Sequence, residues 1–214
     1  MIHGIFFDLD GTLFDTKPDI LAAYRSVFQA LGVPFDPEKL RIGPPLTECL
    51  RQFLPDITPE ETARTVAAFQ NFYDRSDFAG TVPYPGIPEA LAALRQAGYK
   101  LFIATNKRLA PTVKILEIKG IMPLFTDVYA CDSDPVNRRT KAEYLQIAME
   151  KYCLAPENCL MVGDTRLDAA AGHAAKLRVI GVNWGYDSHE ELASANPDWI
   201  ISRAEELVNL VENL

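Results

Sequence analysis

Histidine and cysteine are scarce in this 214-residue chain, at three and four residues, and neither is spaced to bind a metal. His3, His173 and His189 lie far apart, and Cys49, Cys131, Cys153 and Cys159 form no C-x-x-C pair. These absences exclude a zinc finger, a dithiol redox centre and a disulfide framework, and the thiols are expected to be reduced and buried. Basic charge is also in deficit, with 21 Lys and Arg against 29 Asp and Glu for a net charge of −8. That balance draws neither a nucleic acid polymer nor an anionic membrane surface, because binding a phosphate backbone takes clustered cations. No apolar run reaches the ~18 residues of a membrane span. The opening residues Met1-Ile2-His3-Gly4, with Asp8 and Asp10 soon after, lack the basic region and cleavage site of a secretion signal, so a cytoplasmic location is expected.

What is present suits a folded domain, since 48% of residues are hydrophobic and 23% charged. The length allows one large domain, or one domain plus an insertion, burying roughly 70% of the unfolded chain's surface. Short apolar runs recur at Ile2 to Asp8, Lys100 to Ala104, Asp127 to Cys131, Cys159 to Val162 and Arg178 to Val182. Each is too short for a buried helix and is bounded by polar residues or glycine, so each is read as a strand. Between them lie helical patterns at Ile87 to Ala97, Leu109 to Lys119 and Thr140 to Tyr152, with Gly98 and Gly120 placed as C-terminal caps. Alternating strands and helices predict an α/β fold, a doubly wound parallel sheet covered on both faces.

One interval breaks the alternation. From residue 16 to 80 the pattern is helical: Ile20, Leu21, Tyr24, Val27, Phe28 and Leu31 recur at helical spacing, and Thr58-Pro59-Glu60-Glu61 reads as a capping box. The predicted organisation is a core domain made of residues 1–15 and 81–214, with a small helical domain at 16–80. Phe78 to Gly86, rich in Gly and Pro, suits a hinge.

In an open parallel sheet, ligands bind beyond the carboxyl ends of the strands. The first strand delivers Asp8 and Asp10 there, the second Thr105 and Asn106, and the fourth Asp164 with Asp168 one helical turn on; Lys141 follows the third. Converging carboxylates repel one another unless a hard cation intervenes, and oxygen-only ligands favour Mg²⁺. Asp8-Leu9-Asp10-Gly11-Thr12-Leu13, Ala104-Thr105-Asn106, Lys141 and Gly163-Asp164-Thr165-Arg166-Leu167-Asp168 resemble, in order, the motifs of the haloacid dehalogenase superfamily, in its phosphatase branch. The resemblance spans nearly the whole chain and implies a Rossmann-like core with a helical cap inserted after the first strand.

It also implies roles. Asp8 is the expected nucleophile and Asp10 the acid and base; Thr105, the Asn106 backbone and Lys141 hold the phosphoryl oxygens. Asp8, the Asp10 carbonyl and Asp164 bind Mg²⁺, with Asp168 as an outer ligand or an orienting group. Gly11 permits the turn toward phosphate, and Thr12 is expected to orient Asp10. The pair Asp132 and Asp134 reads as solvated loop, Lys107 and Arg108 as solvated loop or as contacts to the substrate, and Trp184 and Trp199 as core or rim aromatics.

Specificity in this family usually comes from the cap, where Lys17, Arg41, Gly43-Pro44-Pro45-Leu46 and Thr47 are the candidates. The Gly-Pro-Pro-Leu turn resembles the subgroup around phosphoglycolate phosphatases, which also has 5′-nucleotidase-like and pyrophosphatase-like members. The expected partner is a small phosphorylated metabolite, and the expected state a monomer or homodimer. Asp10 argues against dehalogenation, and neither cap lysine fits a phosphonate hydrolase. A sugar phosphomutase and a non-catalytic phosphate- or protein-binding regulator are the remaining alternatives.

Overall fold

The computed structural model describes residues 1–134 and 136–214. Contacts divide the chain into two compact units, Met1–Asp15 with Pro83–Leu214, and Thr16–Val82. The strands in chain order are β1 (Gly4–Phe7), β2 (Phe14–Asp15), β3 (Val82–Pro83), β4 (Lys100–Thr105), β5 (Asp127–Ala130), β6 (Cys159–Gly163), β7 (Arg178–Val182) and β8 (Trp199–Ile201).

The Thr16–Val82 unit is helical, with α1 (Lys17–Leu31), α2 (Leu46–Phe53) and α3 (Pro59–Arg75). Its interior is an aromatic cluster: Tyr24 lies 4.9 Å from Phe69 between ring centres, and Phe28 lies 5.0 Å from Phe35 and 5.4 Å from Phe53. Large rings let a small unit bury apolar area that aliphatic side chains could not supply. The Thr58 capping box forms, with Thr58 and Glu61 each accepting the other's backbone N–H. Asp19, in the first turn of α1, accepts from the Gly80 N–H and the Thr81 hydroxyl, tying the returning chain to the helix.

In the other unit, α4 (Ile87–Gln96), α5 (Leu109–Ile118), α6 (Lys141–Lys151), α7 (Arg166–Ala174), α8 (His189–Ser194) and α9 (Ala204–Glu212) accompany a six-stranded sheet. The strand order is β5-β4-β1-β6-β7-β8, and every pairing is parallel. Successive parallel strands run outward from β1 on one side and then outward from β6 on the other, so the order reverses between β1 and β6. The register Phe7↔Val162 puts Asp8 beside the end of β6, and the Asp8 N–H donates to the Val162 carbonyl at 3.0 Å. The doubly wound sheet expected from the alternation is therefore present.

Differences from the sequence reading are local. β8 was not expected, because Trp199-Ile200-Ile201 is only three residues long and carries no period of its own. The four cysteines are free, but they are not uniformly buried: Cys49 and Cys159 are, Cys131 is half-buried, and Cys153 is exposed at positive φ just past α6. Gly98 and Gly120 sit after α4 and α5 with φ of +94° and +73°, the left-handed geometry that ends a helix.

Layer packing leaves little room behind the sheet. A Cβ on Gly172 of α7 would meet Val179 Cγ2 at 2.6 Å and Met161 Cβ at 3.0 Å, so glycine sets how closely α7 lies on β6 and β7. Gly172→Ala is expected to destabilise the protein by about 1–2 kcal/mol, overpacking outweighing the better helix propensity of alanine. Urea unfolding of the two proteins checks this, and equal midpoints would mean that the layers yield without cost.

Candidate active site

β1 ends in a carboxylate pair. Successive residues of an extended segment face opposite ways, so Asp8 and Asp10 share a side while the fully buried Leu9 points into the core. The chain then turns back, with the Gly11 N–H donating to the Phe14 carbonyl at 2.9 Å and the Leu13 N–H to the Leu9 carbonyl at 3.0 Å. Gly11 lies at φ +83°, and a Cβ there would stand 2.1 Å from Asp164 Oδ2. Glycine is thus required twice, by the turn and by the neighbouring carboxylate.

Asp164 follows β6 and is fully buried. Its Oδ1 accepts from the Thr12 hydroxyl at 2.8 Å and its Oδ2 from the Tyr186 N–H at 2.8 Å. The expectation that Thr12 orients Asp10 is therefore corrected: its hydroxyl is within reach of Asp164, the acid across the strand-order reversal. Gly185 closes the other side of Asp164, where a Cβ would fall 2.1 Å from Asp164 Cβ. The Trp184 indole N–H donates to the Thr12 carbonyl at 3.0 Å and ties the post-β7 loop to the post-β1 loop.

Lys141 is the first residue of α6, whose N-terminus is fixed by a Thr140–Glu143 capping box. Its ammonium lies 2.9 Å from Asp8 Oδ1 and 2.5 Å from Asp168 Oδ1. The other oxygen of Asp168 accepts from the Thr165 N–H and hydroxyl, so Asp168 caps α7 and holds Lys141 at once. Thr105, buried at the end of β4, accepts from the Lys107 N–H, which leaves its O–H able to donate elsewhere. Asn106 is exposed beside it.

Asp8, Asp164 and Asp168 each offer a carboxylate oxygen within 4.8 Å of the others. Burial, then the Asp168 and Asp10 charges, push Asp8 up to about 6 against the pull of Lys141. Asp164 is raised as well, by burial first and then by Asp168 and Asp8. Burial opposes the Lys141 ammonium, yet Asp168 and Asp8 prevail and raise its pKa. With Asp10 paired to Lys107, four carboxylates face two ammoniums, a formal charge of −2. The donors are oxygen only, which suits a hard divalent cation.

Three features escaped the sequence reading. Lys107, read as solvated loop or substrate contact but not as a partner of Asp10, has a side chain only 6% exposed and lies 2.9 Å from both oxygens of Asp10. The loop of residues 183–187 supplies Gly185 and the Tyr186 N–H, although the strand-end rule that selected the other loops applies equally to β7. Asp132 and Asp134 are backbone anchors: Asp132 accepts from the Leu109 N–H, and Asp134 from the Val136 and Asn137 N–H groups and from Arg139. Arg41 lies in the Thr16–Val82 unit, exposed before α2, and its carbonyl accepts from Cys49 Sγ at 3.3 Å. No helix among the described residues is long and apolar enough to cross a membrane.

Acidic groups gathered with an ammonium at the carboxyl edge of a doubly wound sheet suit a hard cation and an anionic ligand. The family model for haloacid dehalogenase-like hydrolases matches residues 5–182, and the chain belongs to that family. It is 34% identical to a phosphoglycolate phosphatase of Photobacterium profundum, over 99% of this chain and 96% of that one. A phosphoglycolate phosphatase of Vibrio parahaemolyticus is 33% identical, over 98% and 96% of the two chains. Among solved structures, a haloacid dehalogenase-like hydrolase of Streptococcus pneumoniae superposes with a TM-score of 0.88 at 28% identity, covering 98% of each chain. One described as a predicted phosphatase of Clostridium acetobutylicum gives 0.90 at 25%, over the full length of both. The enzyme is a hydrolase of the phosphatase type.

Two outcomes are expected from this geometry. Asp8 and Asp164 keep protons in the folded state that the unfolded chain releases, so metal-free protein loses stability as pH rises from about 4 toward 6. The slope is expected to shrink in Asp164→Asn, as read by urea unfolding in chelator across that window; an unchanged slope would remove Asp164 from the account. Gly185→Ala is expected to displace Asp164 and lower phosphatase turnover about 100-fold, the scale of an ångström's misplacement in a catalytic site. Phosphate-release kinetics beside an unfolding curve separate this from misfolding.

Proposed function

We propose that the chain is a Mg²⁺-dependent phosphomonoesterase that acts through an aspartyl-phosphate on Asp8, with phosphoglycolate as its substrate. The observation that carries the chemistry is the convergence of buried Asp8, Asp164 and Asp168 where the strand order reverses, with the Lys141 ammonium held between Asp8 and Asp168. The substrate reading rests on relatives that match over nearly the whole of both chains and are named phosphoglycolate phosphatase.

In the first half-reaction an Asp8 oxygen attacks phosphorus in line and the bond from phosphorus to the leaving oxygen breaks. Asp10 gives its proton to the departing alkoxide. In the second, water attacks the phosphorus of the acyl phosphate, its proton passes to Asp10, and the bond to Asp8 breaks, releasing inorganic phosphate and restoring the carboxylate. The Thr105 hydroxyl, the Asn106 N–H and the Lys141 ammonium hold the non-bridging oxygens as charge shifts among them. The backbone at Gly11 and Thr12 gives the phosphoryl group close passage. Asp168 keeps Lys141 aimed at Asp8, and Thr12 and Tyr186 keep Asp164 in place.

The residual formal charge of −2 and the raised Asp8 and Asp164 fit a divalent cation held by Asp8, the Asp10 carbonyl and Asp164. Bound there, Mg²⁺ supplies charge neutralisation between the anionic nucleophile and the anionic substrate. Arg41 enters no step of this scheme.

Asp8→Asn is expected to abolish turnover with the fold intact, since the amide is nearly isosteric but forms no acyl phosphate. Asp10→Asn is expected to slow alkyl phosphates more than aryl phosphates, whose leaving groups need little protonation. Phosphate release from phosphoglycolate, nucleoside monophosphates, pyrophosphate and sugar phosphates, with and without Mg²⁺, tests both reaction and substrate. Turnover persisting in Asp8→Asn removes the nucleophile assignment, and a dominant nucleotide or pyrophosphate activity replaces the substrate.

A further inference from the structure

Lys107 stands with its ammonium beside Asp10 and has no part in the scheme above. Its ammonium lies 2.9 Å from Asp10 Oδ1 and 2.9 Å from Asp10 Oδ2. The loop that carries it is anchored at both faces of the peptide: the Lys107 N–H donates to Thr105 Oγ1 at 3.2 Å, and its carbonyl accepts from the Cys131 N–H at 3.1 Å. The side chain is 6% exposed, so this cation is held in place, unlike a mobile surface lysine.

Equidistance from the two carboxylate oxygens fixes where Lys107 stands relative to a substrate. Whichever oxygen of Asp10 serves the leaving group must approach it within about 2.6–3.2 Å, which places the ammonium no more than about 6 Å from the leaving oxygen. An anionic group on the carbon next to that oxygen is only two bonds further on, and turning about those bonds carries its charge toward the same ammonium. Asp10 must turn one oxygen toward the leaving group, and a second anion arriving with the substrate offers Lys107 a replacement partner. A neutral leaving group brings no charge for this fixed ammonium to attract.

We propose that Lys107 is the residue that selects a leaving group carrying a second anion adjacent to the ester oxygen, a carboxylate in the α position. This deepens the phosphatase reading and rests on it. Glycolate is the smallest leaving group with that arrangement. The diphosphate linkage also sets a second anion next to the scissile oxygen, so a carboxylate and a phosphate share the recognition chemistry and are separated by experiment.

The test compares wild type, Lys107→Met and Lys107→Arg on phosphoglycolate, ethyl phosphate and pyrophosphate with Mg²⁺, following kcat and KM separately. Phosphoglycolate and ethyl phosphate share a two-carbon skeleton and differ at the carboxylate. Wild type is expected to favour phosphoglycolate over ethyl phosphate in kcat/KM by at least tenfold. That ratio is expected to fall at least tenfold in Lys107→Met, mostly through KM for phosphoglycolate, and to return in Lys107→Arg, which keeps the charge. Any loss through Asp10 affects both esters and cancels in the ratio. A wild-type ratio near one overturns the proposal without recourse to a variant, and so does a ratio unchanged in Lys107→Met, which assigns Lys107 to Asp10 alone. A larger loss on pyrophosphate than on phosphoglycolate overturns the carboxylate in favour of a phosphate. Wild type releasing phosphate from none of the three esters removes the phosphatase reading itself, an outcome distinct from hydrolysis without selectivity.

Discussion

Mutual repulsion among carboxylates is the constraint on which the rest of this active site depends. Four acids at the carboxyl edge of one sheet are stable only if each is hydrogen-bonded, paired or neutralised, because an isolated buried charge costs far more than a domain can spare. The arrangement answers each in turn. Asp8 shares Lys141 with Asp168, Asp10 holds Lys107, and Asp164, which has no ammonium among these contacts, accepts from Thr12 and Tyr186. Hydrogen bonds from neutral donors stabilise Asp164 less than an ion pair would, and it is raised well above its ordinary range. The acid with the weakest compensation is therefore the one with most to gain from a divalent cation.

Space is arranged by glycine as strictly as charge is by lysine. Gly11 and Gly185 flank Asp164, and Gly163 lies against Asp168, where a Cβ would come within 2.2 Å of the aspartate Cβ. At each place a carboxylate occupies the volume a side chain would take, so the loops close over the acids without a cavity between them. Gly185 belongs to the loop after β7, and that loop also delivers the Tyr186 N–H and the Trp184 indole. A further strand end thus supports a site whose reacting groups come from the others.

Legibility in the sequence followed how far each feature depends on local order. The parallel sheet could be read because its strands are short apolar runs between helical stretches, and because a strand covered on both faces leaves no polar alternation to confuse the pattern. β8 could not, since three residues carry no period. The meeting of Asp8, Lys141, Asp164 and Asp168 follows from strand ends and the switch in strand order. Partnerships are another matter: Thr12 sits two residues from Asp10 in sequence, but its hydroxyl turns to Asp164 across 152 residues. Proximity along the chain misled there because a tight turn sends neighbouring side chains in different directions.

Lys107 and Lys141 illustrate the same limit more fully. Both are lysines near acids, but one opens a helix inside a recognisable motif, whereas the other stands in a short loop between exposed Asn106 and half-buried Arg108. Composition makes a loop lysine a solvated charge, and only the anchored backbone and the symmetric contact with Asp10 distinguish this one. The two ammoniums also divide the site. Lys141 lies on the side of Asp8, the proposed nucleophile, where the transferred group would rest, and Lys107 on the side of Asp10, the proposed acid, where the leaving group would depart. A site that needed only to stabilise the transferred phosphoryl would have use for the first alone; a second cation beside the proton donor gains its purpose from what the leaving group carries.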